Sequence, residues 1–313
     1  MSKRGLTRAL VGVCLGAALV FGASRRLAPS VSWEWGTTAP EPEGPPRWTE
    51  RALPATASKK HDPKVRCAAA MVVDNKAGEI VYARNAHEPR PIASLTKLLT
   101  ALVFLESDAD LNSEVEITAE DANGSSRSHL RPGERYTLDD LLHAALMASD
   151  NRAARALSRS AGMPQAKFIA RMNDRARALG MNSTHIVEPT GLSTENVSTA
   201  YDCAILVNAA LRNHLIAQIT ATPKYTICPR NRHHTRELAN TNRLLHSDLR
   251  FVGAKTGFIG AAGFCIAARA LSPDGDDVTA IVLGARSSGQ RFRSLANALH
   301  WAFDLTPSTT AKP

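Results

Sequence analysis

The chain has 313 residues, 44% of them hydrophobic and 21% charged, a mix that can bury a core and excludes a fibrous, low-complexity or wholly disordered protein. Thirty-eight Lys and Arg against 29 Asp and Glu leave a formal charge of +9. That balance favours anionic partners such as nucleic acid, acidic lipid or a cell-wall polymer without choosing among them. The length allows one large mixed domain or two of ~150 residues.

In chain order, Lys3, Arg4 and Arg8 come first, then an uncharged stretch from Ala9 to Ala23, then Ser24, Arg25 and Arg26. This is the layout of a secretory signal peptide. The apolar run is shorter than the ~20 residues that span a bilayer comfortably, so residues 1–23 are expected to direct export rather than to anchor permanently. Val13 before Cys14 lacks the small residue that lipidation of the cysteine would want. Residues 24–63 hold seven of the 17 prolines and no sustained hydrophobic period, the composition of a flexible tether. Folded structure is expected over residues 64–305, with a disordered tail at 306–313.

From Cys67 the sequence Cys-Ala-Ala-Ala-Met-Val-Val runs into an Asn75–Gly78 turn and then Ile80, Val81, Tyr82 and Ala83. This predicts a β-hairpin. Residues 94 to 220 are mostly helical by period, as at Leu138–Met147 and Phe168–Leu179. Strands return at Phe264–Ala270 and Val278–Gly284 around a Ser272–Gly275 turn, before a helix striped by Phe292, Leu295, Ala296, Leu299 and Phe303. Strands at both ends of a helical centre predict an α+β fold, one antiparallel sheet closed from both termini and covered by helices.

Of the five cysteines, Cys14 lies in the leader, and Cys67, Cys203, Cys228 and Cys265 remain as buried thiols or structural bridges, with three pairings open. No C-x-x-C and no H-E-x-x-H occurs, so neither a metal nor a cofactor is expected. Gly257, Gly260 and Gly263 match no nucleotide-binding fingerprint, and no G-x-S-x-G marks a Ser-His-Asp hydrolase.

Three short signals carry chemistry. Ser94-Leu-Thr-Lys97 opens the apolar run Leu98, Leu99, Leu102, Val103, Phe104 and Leu105. A helix apolar nearly all round is a buried one, and residues three apart share a face. Burial lowers a lysine's pKa, and the neutral amine can then act as base for an otherwise weak serine nucleophile. The second signal, Ser149-Asp150-Asn151, sits between two helical stretches, where a hydroxyl and a carboxamide could relay a proton and grip an amide, although these residues also cap helices. The third, Lys255-Thr256-Gly257, would present a cation and a hydroxyl to a carboxylate while the glycine lets a substrate lie close, or would be a plain turn. All three in this order by chance is on the order of 10⁻³.

Together these motifs resemble the penicillin-recognising serine acyltransferases with their S-x-x-K, S-D-N and K-T-G signatures. The longer strings Ile92–Lys97, Leu146–Ala154, Val187–Leu192, Asn196–Ala200 and Asn240–Leu244 are similar to the low-molecular-mass penicillin-binding proteins, serine D-Ala-D-Ala peptidases, and within them to the D-alanyl-D-alanine endopeptidase branch. The resemblance, over roughly residues 65 to 305, implies a β-lactamase/transpeptidase-like fold with a sheet of about five strands and a helical subdomain. It implies Ser94 as acylated nucleophile, Lys97 as base and Ser149 as proton shuttle to the leaving amine. Asn151 would hold the substrate amide, Lys255, Thr256 and Gly257 would form the carboxylate-binding edge, and the N–H groups of Ser94 and Phe258 the oxyanion hole. Asp150 is expected to face away from the substrate.

The partners implied are peptidoglycan stem peptides and crosslinks, with β-lactams as covalent inhibitors, in an exported, periplasmic setting at most loosely associated with the membrane, and no nucleic acid. A crosslink and a free D-Ala-D-Ala end present the same carboxylate to Lys255 and Thr256, so endopeptidase and carboxypeptidase both fit one site. Crosslink cleavage is favoured by the longer strings and by the short chain after Trp301, which leaves no room for a β-rich second domain. Glu188 stands in Glu-Pro-Thr-Gly-Leu rather than in the E-x-x-x-N setting of class A β-lactamases, which disfavours rapid β-lactam hydrolysis; a non-catalytic penicillin-binding sensor is the further alternative.

Overall fold

A computed structural model describes residues 48–50, 62–125 and 128–305. The expected leader, most of the expected tether and the expected tail lie outside these residues. In chain order the elements are strands β1 (Thr49–Glu50), β2 (Ala69–Asp74), β3 (Glu79–Arg84) and β4 (Arg90–Pro91), a 3-10 turn (Ala93–Leu95) and helix α1 (Thr96–Leu105). Then come β5 (Glu114–Glu116), α2 (Ala119–Ala122), β6 (Arg135–Thr137), α3 (Leu138–Leu146), α4 (Asn151–Arg159) and α5 (Gln165–Ala178). After β7 (Val197–Ser198) follow α6 (Ala200–Arg212), α7 (His214–Ala221), β8 (Lys224–Ile227) and β9 (Arg236–Ala239). The chain continues through β10 (Arg250–Ile259), β11 (Gly263–Leu271), β12 (Asp277–Ala285) and α8 (Ser288–Leu305).

The main sheet runs β1-β3-β2-β12-β11-β10, so strands from both ends of the folded region meet at β2 and β12. Five of its strands are antiparallel, as expected. The sixth, β1, pairs in parallel with β3 and lies inside the stretch read as a tether. Trp48 supplies the hold there, its ring edge-on to Tyr201 at 5.4 Å. Both predicted hairpin turns form. Asp74 accepts from the Lys76 and Ala77 N–H groups and Gly78 turns at φ +68°; Gly275 turns at φ +88° and donates to Ser272.

Side chains alternate across a strand, and here both faces are buried. Ala69, Met71 and Val73 join the larger core under the helical subdomain, whereas Ala70 and Val72 meet Leu295 and Leu299 of α8 on the other side. Each fully buried Val, Leu or Met contributes about 1.5–3 kcal/mol, which fixes the register of the central strands. The helical centre is interrupted by three two-stranded ribbons, β4·β7, β5·β6 and β8·β9, too short to leave a readable alternation. Among the described residues no helix is long and apolar enough to cross a membrane.

Candidate active site

Ser94 sits in the 3-10 turn immediately before α1, one residue after Ala93, whose φ of +48° is left-handed. Such a conformation costs a non-glycine residue roughly 1–2 kcal/mol and is sustained by the packing around it. Every residue of α1 from Thr96 to Phe104 is buried, as the apolar run predicted, so Lys97 enters the core with its helix.

The Lys97 amine makes three contacts: Ser94 Oγ at 3.0 Å, Asn151 Oδ1 at 2.6 Å and the Thr190 carbonyl at 2.6 Å. Burial pushes its pKa down to about 7, against the charges of Glu188 and Asp150, which raise it, while Arg155 adds to the lowering. The neutral amine has two N–H groups and one lone pair. Asn151 Oδ1 and the Thr190 carbonyl can only accept, so they take both N–H groups and the lone pair is left for the Ser94 hydroxyl.

Asp150 caps α4, accepting from the N–H groups of Arg152 and Ala153, and its second oxygen takes Ser128 Oγ at 2.6 Å and the His129 N–H at 3.0 Å. The carboxylate therefore faces the neighbouring loop, as expected. Capping α4 fixes Ser149, at φ +60°, and Asn151 on either side of it. With Asn151 Oδ1 turned to Lys97, its amide NH₂ is the group available to an incoming acceptor.

Lys255-Thr256-Gly257 lies within β10, a ten-residue strand on the open edge of the sheet, and is not a turn. Two glycines and a lysine weaken the alternation along this strand, which pairing with β11 holds in place. The Lys255 amine donates to Ser149 Oγ at 2.8 Å and to the Thr256 carbonyl at 3.0 Å. Burial, then the charges of Lys97 and Arg291, push its pKa well below the usual lysine range. Thr256 Oγ1 donates to Thr241 Oγ1 at 2.7 Å.

Gly257 is where β10 meets the serine turn: a Cβ there would lie 3.0 Å from the Ile92 carbonyl and 3.1 Å from the Ser94 nitrogen. Absence of a side chain thus brings the strand edge against the Ser94 N–H. Phe258 follows, 54% exposed, the one large hydrophobic so exposed among the described residues, with its ring stacked on Phe264 at 4.2 Å.

The three segments carrying the eight residues assigned roles from the sequence thus meet where the β10 edge packs on the serine turn and the start of α4. The motifs did not reveal Thr190 and Glu188 of the loop beside Lys97, Thr241 or Arg291. Arg291, on α8, donates to the carbonyls of Gly257 and Cys265 and is pushed by burial to a pKa of about 10. Glu188 stands in the string Val187–Leu192, where nothing local in the sequence gives its role. Cys67, Cys203, Cys228 and Cys265 are free thiols, and among the described residues no group of three or more His, Cys, Asp or Glu could hold a metal ion.

The Peptidase S11 family profile, described as D-alanyl-D-alanine carboxypeptidase, matches residues 56–287. The chain is 36% identical to a D-alanyl-D-alanine endopeptidase of Pseudomonas aeruginosa, over 74% of this chain and 76% of the relative. It is 34% identical to a D-alanyl-D-alanine endopeptidase of Escherichia coli, over 80% and 81% of the two. Among solved structures it is similar to the Streptomyces K15 DD-transpeptidase, with 28% identity, a TM-score of 0.73, and 78% of this chain and 99% of that one covered. The sheet of antiparallel strands backed by helices is thus the transpeptidase-like fold, and the chain belongs to the Peptidase S11 family of serine D-Ala-D-Ala peptidases.

Proposed function

We propose that this protein is an exported D-alanyl-D-alanine endopeptidase that cleaves peptidoglycan crosslinks through an acyl-enzyme on Ser94. The observation that carries the chemistry is the Lys97 amine, 3.0 Å from Ser94 Oγ with its other two contacts made to atoms that only accept. Crosslink cleavage is favoured by the two relatives named endopeptidases.

In this reading Ser94 Oγ attacks the D-Ala carbonyl while its proton passes to the Lys97 lone pair. The developing oxyanion lies between the N–H groups of Ser94 and Phe258. The amide NH₂ of Asn151 holds the substrate peptide. The scissile C–N bond breaks as the departing amine takes a proton through Ser149, whose hydroxyl Lys255 orients, and water then releases the acyl group and restores Ser94. Lys255 and Thr256 receive the carboxylate of the leaving residue: Lys255 is fully buried with no described acidic side chain in ion-pair contact, so its surroundings are short of an anion. Binding a carboxylate beside Lys255 favours its charged form. A β-lactam offers the same carbonyl and carboxylate and acylates the same serine.

The test is to incubate the purified protein with crosslinked dimeric muropeptide and with monomeric pentapeptide. Consumption of the dimer with release of monomers is expected; loss of the terminal D-Ala from pentapeptide with the dimer intact would make it a carboxypeptidase, the activity in the family's description. Fractionation of the producing cell would check export, expected as a soluble or loosely membrane-bound protein outside the cytoplasm.

A further inference from the structure

We infer that Glu188 is a positioning residue for the Lys97 base, holding one peptide plane so that its carbonyl aims the amine at Ser94; the inference rests on the reading of Ser94 and Lys97 given above. The plane is Thr190–Gly191. Its N–H, from Gly191, donates to Glu188 Oε1 at 2.6 Å, and its C=O accepts from Lys97 Nζ at 2.6 Å. In a trans peptide these two groups point in opposite directions. A carboxylate that grips the N–H therefore sets the direction of the carbonyl on the other side.

The grip is complete. Glu188 also accepts the Thr190 N–H at 2.7 Å, Thr190 Oγ1 at 2.6 Å, the Ser193 N–H at 3.3 Å and Asn196 Nδ2 at 3.0 Å. An ionised carboxylate offers about four lone-pair sites, and five donors from its own loop occupy them, so no site remains to activate a water. Glu188 is thus a loop organiser and not the hydrolytic base that its nearness to Lys97 would suggest.

The loop is in turn fixed to the serine turn. Asn196, fully buried, donates to the Glu188 carbonyl at 2.8 Å and to Thr96 Oγ1 at 3.3 Å, and Thr100 Oγ1 donates to the Pro189 carbonyl at 2.7 Å. Gly191 stands at φ +81° where a Cβ would lie 1.9 Å from the Ala93 carbonyl, so the plane rests against the residue before Ser94. Freed from Glu188, the Thr190 carbonyl can swing, and the neutral amine no longer has both N–H groups tied; its lone pair then loses its direction. A misplacement of ~1 Å at a reacting group costs on the order of 10²-fold in rate.

A second consequence concerns pH. The charged groups facing Lys97 are Glu188 on the loop, Asp150 and Arg155 at and within α4, and Lys255 on β10. Removing the negative charge of Glu188 and slackening its carbonyl both favour the neutral amine, so the acid limb of acylation moves to lower pH.

The experiment measures Ser94 acylation by benzylpenicillin between pH 5 and 9 for the full protein and for Glu188→Gln and Glu188→Asp, with near-UV circular dichroism as the check on folding. Expected for Glu188→Gln are a plateau rate about 10²-fold lower and an acid midpoint displaced downward, with the Asp variant, which keeps the charge, recovering the wild-type midpoint and part of the rate. If the Gln variant does not fold, the Asp variant carries the comparison through its plateau alone, expected intermediate. Acylation by the Gln variant within threefold of wild type at an unmoved midpoint overturns the inference, as does, should that variant not fold, an Asp variant that acylates at the full wild-type rate. So does normal acylation with an adduct released more slowly than that of wild type, which would make Glu188 the water-activating base. Wild-type protein that takes no label on Ser94 would instead remove the reading of the nucleophile itself.

Discussion

Lys97 is ringed by acceptors and has two carboxylates within electrostatic reach, whereas Lys255, equally buried, faces a hydroxyl, one backbone carbonyl and two further cations. The difference lies in what completes each environment. Around Lys97 every described hydrogen-bond partner comes from the protein, and burial, opposed by the charges of Glu188 and Asp150, brings the amine to a pKa of about 7. Around Lys255 no carboxylate among the described residues makes an ion pair, and in the proposed reading a ligand supplies the anion. In the reading proposed above, two buried lysines thus divide the work of moving a proton and recognising charge, because their neighbours and not their own chemistry differ.

The comparison breaks most visibly at the first lysine. Lys97→Met removes the proton acceptor and should slow acylation by labelled penicillin about 10³-fold, while Ser94→Ala abolishes labelling altogether; capture of label by the alanine variant would place the nucleophile elsewhere. At the second, Lys255→Met should cost between about 10-fold and 10²-fold in kcat/KM through the lost charge-assisted contact. That loss should be larger on substrates with a free terminal carboxylate than on carboxylate-amidated peptides, where only the hold on Ser149 is lost; equal losses would show that Lys255 does not read the anion.

The wild-type pH profile sharpens the same contrast. Protonated Lys97 cannot accept the serine proton, so acylation should fall tenfold per pH unit below about 7 and level off above it. In Ser94→Ala protein a carboxylate ligand that favours the charged form of Lys255 should be bound with proton uptake. Calorimetric heats would then change with the ionisation enthalpy of the buffer. Identical heats in all buffers would mean that Lys255 is already charged in the empty cleft.

The smallest effect is expected between the two regions. Gly257→Ala puts a methyl 3.0–3.1 Å from Ile92, Ala93 and Ser94, tight enough to move the strand edge by a few tenths of an ångström. Acylation should drop about fivefold with the acid midpoint unchanged; a shifted midpoint would mean that β10 also sets the Lys97 environment.

Much of this was legible in the residues. The S-x-x-K spacing on an apolar run announced a buried serine–lysine pair, and both hairpins were marked by turn residues whose glycines adopt positive φ. What escaped is informative. β10 reads poorly as a strand because Gly253, Lys255 and Gly257 break the alternation, and it is a strand because α7 and the serine turn pack against it. The Thr190 carbonyl reaches Lys97 across 93 residues, and Lys255 reaches Ser149 across 106; neither pairing leaves a local pattern. Nor does Arg291, which looks from the sequence like an ordinary helix cation and is instead buried against Phe264 and Phe292.

By itself the amino-acid order determined the reagents: a hydroxyl, two amines, a carboxamide and the glycine that lets a strand come close, since identity and short spacing are local properties. Only the tertiary structure decided the surroundings of each amine, acceptors and nearby carboxylates for Lys97, a hydroxyl, a backbone carbonyl and further cations for Lys255. That difference depends on desolvation and on groups brought in from a hundred residues away, and both exist only once the chain has closed around them.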